Sequence, residues 1–459
     1  MANEKPSKFF YGYWVVAVSM ITILLTFGVR TSIGNFIVPW QNVAQQGGFG
    51  WSKTLISGAI TLSILVQGIL GIPLGRWVDK IGARWIMTIC SVFLGVGILL
   101  MYWMQTSWEY YVLYGLVVGI GCSGAFVAVT ATVSRWFHRR RGAMTGIALL
   151  GIGLGGVIFN EATAALNNAY GWRTCLLIVG IIVVVVGVAV AQFFRRDPHE
   201  MGLLPDGDVR EGGMPFQTWG LTVKGAIATW QFWVLSLFFF CAGFTLFVVV
   251  NHMIPQIIQI GFAIDNQTGY NYITTSASVM AVFVALQAVG SIVFGALIDK
   301  IGSKTVQAIS FILLAVALFW LAYVGKLSGF WPVAAIAGFA IGGTAATQST
   351  KAVELFGVRS VGTLMGLLTL MYCIGGAVGP VVTAAMQDAG KTLNSQHWAV
   401  YPYRGTWILT GIIAVVGLLA VLALRPVKNP EVVPPWLRHK AAAQVVVEEL
   451  PLVGEGTEA

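Results

Sequence analysis

Charge is what this sequence has least of. Asp, Glu, Lys and Arg make up 10% of its 459 residues, where a soluble globular chain carries roughly a quarter. That scarcity excludes a soluble enzyme and a disordered scaffold, because both need a charged, solvated surface. Cysteine is also scarce. The five residues Cys90, Cys122, Cys175, Cys241 and Cys373 lie in or beside apolar stretches and show no metal-ligand spacing. They read as small core residues, which excludes a disulfide-stapled module and gives no metal site. A P-loop is missing as well, so nothing supports drive by nucleotide hydrolysis. The run Gly151-Ile152-Gly153-Leu154-Gly155-Gly156 fits a dinucleotide fingerprint, but it sits inside an apolar span with no strand before it. No cofactor is called for.

Apolar length is what the chain has in abundance: 57% of residues are hydrophobic and the mean hydropathy is +0.80. Runs of about 20 apolar residues cross a bilayer as helices, since lipid offers no partner to an unpaired backbone amide. Twelve such runs are present: 14–36, 55–74, 85–104, 110–133, 143–165, 174–194, 232–254, 277–298, 306–324, 332–349, 363–386 and 407–424. The fold class is therefore all-α and integral to a membrane. The first span is too long for a signal segment and has no small-residue cleavage site after it, so it is kept as the first helix. The ninth and tenth spans have the softest boundaries.

The net charge of +9 raises nucleic acid as a partner, but the basic residues form short clusters between spans instead of one face. Lys and Arg crowd the segments that share a side with the N-terminus, among them Lys80, Arg84, Arg139, Arg140, Arg141, Arg195 and Arg196. The positive-inside rule then puts both termini in the cytoplasm of a multi-pass protein of the plasma (inner) membrane. Residues 1–13 form a cytoplasmic N-terminus, 14–194 a first six-helix bundle and 195–229 a cytoplasmic linker with a short surface helix. Residues 230–425 form a second bundle, and 426–459 a loosely ordered tail.

The halves repeat at an offset of 220 residues. Gly75, Asp79, Lys80, Ile81 and Gly82 return as Gly295, Asp299, Lys300, Ile301 and Gly302, and Arg84 is answered by Lys304. Gln67 returns as Gln287, and Gly142, Gly146, Gly155 and Gly156 return as Gly362, Gly366, Gly375 and Gly376. Two homologous bundles facing each other across a cavity are the architecture of alternating-access carriers.

The segment Gly75-Arg76-Trp77-Val78-Asp79-Lys80-Ile81-Gly82-Ala83-Arg84, repeated from Gly295 to Lys304, resembles the loop between the second and third helices of the major facilitator superfamily. Arg135-Trp136-Phe137, Arg140-Arg141-Gly142, Tyr170-Gly171-Trp172-Arg173 and Phe27-Gly28-Val29-Arg30-Thr31-Ser32 resemble its monocarboxylate and oxalate/formate porters. The likeness implies that Asp79 meets the start of the eleventh helix near Gly362 and Thr363. By pseudo-symmetry Asp299 meets the fifth near Gly142, which closes the cytoplasmic side. Arg84 and Lys304 are then placed to pair with these carboxylates. In the eighth helix, where those porters often carry an aspartate and an arginine, this chain has Gln287 and Ser291.

An ionisable group inside a span is a functional candidate. Arg30 is the clearest, in a polar stripe with Thr22, Thr26 and Gly34 that is expected to face the cavity. Its guanidinium is permanently charged and matches a carboxylate with two parallel donors. The bland alternative pairs it with Glu161 or with carbonyls. Asn251 and His252 lie at a similar depth in the seventh helix; His252 either binds the anion and a proton or is a satisfied core histidine. Gln67 and Gln287 either orient a ligand or join helices, Glu161 is a second proton-coupling candidate, and Tyr372, Thr347 and Gln348 are weaker cavity candidates. The reading is a monomeric secondary carrier of a small organic anion, by proton symport or anion exchange. A neutral or cationic cargo, or a non-transporting receptor on the same fold, stands as the alternative.

Overall fold

The computed structural model describes residues 10–41, 48–203, 205–207, 220–264, 272–393 and 403–427. The N-terminal residues 1–9 and the tail from 428 onward lie outside the described residues. Among the described residues the chain is helical, and its only β-pairing is an isolated bridge between Gly220 and Gly357. Eleven continuous helices among the described residues are long and apolar enough to cross a bilayer. Ten of them we name α1 (Gly12–Gln41), α2 (Leu55–Ile81), α3 (Ala83–Trp103), α4 (Ser107–Trp136), α7 (Trp230–Ile258), α8 (Thr275–Ile301), α9 (Ser303–Leu321), α10 (Leu327–Phe356), α11 (Val361–Gln387) and α12 (Arg404–Ala423).

The remaining helix, Arg141–Ala191, runs for 51 residues. At 1.5 Å per residue that is about 76 Å, more than twice a bilayer's hydrocarbon thickness. It turns at Gly171, where φ is 79° and ψ 162°, a conformation that only glycine adopts without strain. The turn separates α5 (141–170) from α6 (172–191), so the sequence's twelve spans are all present.

Local chemistry sets several boundaries. Ser52 accepts a hydrogen bond from the Leu55 amide at 3.2 Å to start α2, and Thr106 with Glu109 forms a capping box at the start of α4. Gly82 and Gly302 end α2 and α8 at φ 85° and 84°, which explains why the repeated loop keeps a glycine there. Pro332 falls in the first turn of the helix Phe330–Phe356, where its missing N–H has no intrahelical partner to lose. The tenth span is therefore one continuous helix. The linker begins with short turns and carries a helix at Val223–Ile227. It is tied back by the Leu221 amide donating to the Phe356 carbonyl at 2.8 Å.

Exposed aromatics mark two interfaces. Trp14, Trp77, Trp85, Phe193, Trp230 and Trp233 cluster at the linker end, and Trp103, Trp108, Tyr170, Trp320, Tyr323 and Trp331 at the other. Amphipathic rings favour headgroup depth, and these two belts frame the membrane slab.

The two lobes, α1–α6 and α7–α12, touch along two glycine-lined seams. In one, a Cβ on Gly75 would lie 2.2 Å from the Gly362 carbonyl, and one on Gly366 2.3 Å from that of Gly71. In the other, a Cβ on Gly142 would lie 2.4 Å from the Gly295 carbonyl. Backbones meet here only because both partners lack side chains.

Candidate functional site

The seams end at the two repeated aspartates. Asp79 closes α2, and its carboxylate accepts from the Gly362 amide at 2.9 Å, the Thr363 amide at 2.8 Å and the Thr363 hydroxyl at 2.8 Å. Asp299 closes α8 and accepts from the Gly142 amide at 2.8 Å and the Ala143 amide at 2.9 Å. Both place a negative group on a helix start, where free amides and the macrodipole favour it. These are the cross-lobe contacts that the repeat implied.

The cations behave differently from the expectation. Arg84 donates to the Gln192 side-chain oxygen at 3.0 and 2.8 Å and leans over Trp85, so it does not pair with Asp79. Lys304 donates to the carbonyls of Leu422 and Leu424 at 2.7 and 2.9 Å, capping the end of α12 instead of meeting Asp299. In each case the side chain reaches oxygens within its own lobe. The partner of Asp79 is Arg135 of α4, at 2.8 Å. Arg196 completes this corner by donating to the Asp79 and Lys80 carbonyls. The two gates are thus unequal: Asp79 holds three cross-lobe bonds and a cation, Asp299 two cross-lobe bonds.

Nearer the middle of the membrane, Arg30 on α1 donates through Nη1 to the Gln67 carbonyl oxygen on α2 at 2.5 Å. Its Nη2 is buried without a hydrogen-bond partner. An unmet donor on a buried charged group costs about 1–3 kcal/mol or more, so this end of the guanidinium is set for an incoming acceptor. The other lobe supplies Phe247 of α7, whose ring centre lies 5.7 Å from the guanidinium carbon. Phe247 in turn meets Tyr372 of α11 edge-on at 6.0 Å. Tyr114, Cys122, Tyr372 and Cys373 all lie within electrostatic reach of the Arg30 charge.

Tyr114 was not among the residues singled out from sequence. Its hydroxyl is buried and unpartnered, and it sits in a π-helical stretch, Tyr111–Val118, within α4. Such stretches are rare and gather at functional sites. Two unmet polar groups, Arg30 Nη2 and Tyr114 Oη, therefore lie within electrostatic reach of one another, Tyr114 in the core of the first lobe.

Other candidates fall elsewhere. Thr22 and Thr26 bond back to their own helix and line a small cavity inside the first lobe with Met87, Ser91, Gly121 and Val183. The stripe expected to face the central cavity turns inward because four-residue spacing drifts by about 40° each time, leaving Arg30 about 80° round from Thr22. His252 is satisfied on both ring nitrogens: Thr383 lies 2.9 Å from Nε2 and the Gln387 amide 3.3 Å from Nδ1. Gln387 also donates to Thr406 at 2.8 Å. His252 thus ties α7 to α11 and α12.

Asn251 is exposed one turn past Phe247, whose carbonyl its amide reaches at 2.7 Å. Glu161 is exposed on the α5 face that also shows Leu154, Val157 and Ile158, and it is not the partner of Arg30. Gln287 is buried where α8 packs on Gly342, and Ser291 donates to the Gly146 carbonyl at 3.2 Å within a lobe seam. Thr347 turns its hydroxyl onto its own helix, and Gln348 is buried.

Comparison with known proteins agrees with this architecture. Monocarboxylate transporter 13 of Bos taurus is 24% identical over 420 residues, covering 89% of each chain. MFS-type transporter 1 of Ophiocordyceps sp. is 24% identical over 439 residues, covering 92% of this chain and 87% of its own. Among solved structures, the human organic anion transporter MFSD10 (TETRAN) superposes with a TM-score of 0.66 at 14% identity, over 89% of this chain and 99% of that one. A bacterial homolog of the human lysosomal transporter Spinster gives 0.59 at 18% identity, over 90% and 97%. The profile of the Major Facilitator Superfamily matches residues 16–380 and 260–453, and the chain, an integral multi-pass membrane protein, belongs to that family of transporters.

Proposed function

We propose that this transporter carries a small organic anion with a single carboxylate by alternating access, and that Arg30 holds the carboxylate. The observation that carries this reading is the buried, unpartnered Nη2 of a guanidinium whose other arm is fixed by Gln67. A carboxylate at that nitrogen would meet a permanent charge in a low-dielectric setting, with the Tyr114 hydroxyl as a second donor. Both lobes contribute to the site, so a bound anion would act on the contact between them. The aspartate gates hold the linker side closed, which is the cytoplasmic side if the termini follow the positive-inside rule.

The surroundings of Arg30 favour anion exchange over proton symport. Among the described residues named around it, Gln67, Tyr114, Cys122, Phe247, Tyr372 and Cys373, there is no carboxylate and no free imidazole. His252 is engaged on both nitrogens. The relatives named for monocarboxylates and the organic anion transporter support the same class of cargo.

Purified protein in liposomes tests the reading. Uptake of a labelled short monocarboxylate should require a carboxylate inside the vesicle and fall by about 100-fold or more in Arg30→Gln, the effect of removing a charged partner from a buried pair. Full uptake by Arg30→Gln would refute it.

A further inference from the structure

Phe247 stands at one point where the lobes meet over Arg30. Its ring packs on the guanidinium at 5.7 Å and edge-on against Tyr372 at 6.0 Å. Behind it lies Gly376 of α11, whose missing side chain makes the ring's place: a Cβ there would lie 2.4 Å from Phe247 Cδ2 and 2.7 Å from Cε2. Three elements, α1, α7 and α11, therefore fix one aromatic ring beside the Arg30 guanidinium. The ring is half-buried, so it also has an exposed part.

From this arrangement we propose that Phe247, seated on Gly376, is the size filter of the site and restricts the cargo to monocarboxylates with a short organic part. The proposal rests on the anion reading above and names the class of anion it selects. A carboxylate bound at Arg30 Nη2 projects its organic part past the ring edge. A two- or three-carbon tail passes there, whereas a longer or aryl tail must displace the ring. Displacement has little room, because Arg30 bounds the ring on one side and the Gly376 backbone on another. Arg30 and Phe247 also attract each other, cation to ring face, which further favours the ring's resting position.

Two substitutions move the filter in opposite directions. Phe247→Ala removes the ring and opens a space against Gly376. Gly376→Ala puts a methyl 2.4 Å from Cδ2, so the ring must shift off Gly376 and narrow the space beside Arg30. Phe247→Leu is the milder version of the first and reads the same direction if the alanine variant does not fold.

The test measures thermal stabilisation of the purified full-length protein by acetate, butyrate, hexanoate and phenylacetate, which reports apparent affinity. Wild type should respond to acetate and butyrate and weakly to the two larger acids. Phe247→Ala should raise the apparent affinity for hexanoate and phenylacetate relative to acetate by about tenfold or more, the scale of one or two methylene-sized spaces in a pocket. Gly376→Ala should confine the response to acetate. A Phe247→Ala profile parallel to wild type, with acids still stabilising both and Arg30→Gln abolishing the response, would overturn the filter and leave the anion reading intact. A wild type stabilised by no acid of the series would refute both.

Discussion

Replacing Asp79 by Asn should open the linker-side gate more than replacing Asp299 by Asn, and the hydrogen bonds give the size of the difference. Asp79 accepts three bonds from the opposite lobe, Asp299 two. Arg135 does not count toward this difference, because it sits on α4 in the same lobe as Asp79 and can stay paired when the lobes part. Asn keeps one acceptor oxygen, so with Oδ1 retained Asp79→Asn loses the two Oδ2 bonds and Asp299→Asn the single Oδ2 bond. At about 1 kcal/mol net per bond, where water replaces what is lost, the closed state loses about 2 kcal/mol in Asp79→Asn and about 1 kcal/mol in Asp299→Asn. In populations that is roughly 30-fold against roughly fivefold. Spin labels on Arg76→Cys and Arg359→Cys, both exposed and on opposite lobes, read the opening as a distance distribution. The five native cysteines are buried, so labelling is selective. An opening in Asp299→Asn equal to or larger than that in Asp79→Asn would refute the argument that cross-lobe bonds set the gate, as would unchanged distances in both.

Further outcomes follow from the same contacts. Arg135→Gln should cost about 2 kcal/mol of stability because it removes the cation paired with the Asp79 carboxylate, which keeps its three cross-lobe bonds, while Arg84→Gln, which loses a neutral acceptor, should cost about 1 kcal/mol; thermal unfolding checks the order, and the reverse order would return Asp79 to Arg84. Tyr114→Phe removes an unpartnered hydroxyl, so melting should not fall while affinity for a short carboxylate drops by about tenfold; a lost melting temperature with unchanged affinity would assign that hydroxyl a packing role. His252→Gln should lower stability by about 1–2 kcal/mol and leave the pH profile of uptake unchanged; loss of an acid-stimulated component would make His252 a proton site.

The sequence made much of this legible because bilayers impose simple rules. Apolar run length gave all twelve spans, including the α5–α6 pair, although only coordinates show the turn at Gly171. The repeated loop placed Asp79 and Asp299 at helix ends, and the free amides of α11 and α5 did the rest. Position inside a span marked Arg30 and Gln67 separately as site candidates, and they are bonded. What depth cannot supply is direction around a helix. Thr22 and Thr26 drift off the Arg30 face, His252 points at α11 where Asn251 follows Phe247, and Glu161 shares an exposed apolar face. Partner choice for long cations was also hidden, since Arg84 and Lys304 reach oxygens in their own lobe that pattern does not reveal. Tyr114 and Phe247 looked like two more aromatics in a chain that is 12% aromatic. Their significance comes from a π-stretch and from a cross-lobe contact, and neither leaves a mark in composition.

The central claim is that the free arm of Arg30 receives the cargo's carboxylate. Calorimetric titration of the purified protein with acetate at fixed ionic strength measures this without any assumption about coupling. The account predicts saturable binding to wild type, weakening by about tenfold in Arg30→Lys, which keeps charge but loses the fork, and vanishing in Arg30→Gln. Equal affinity across all three proteins would contradict it.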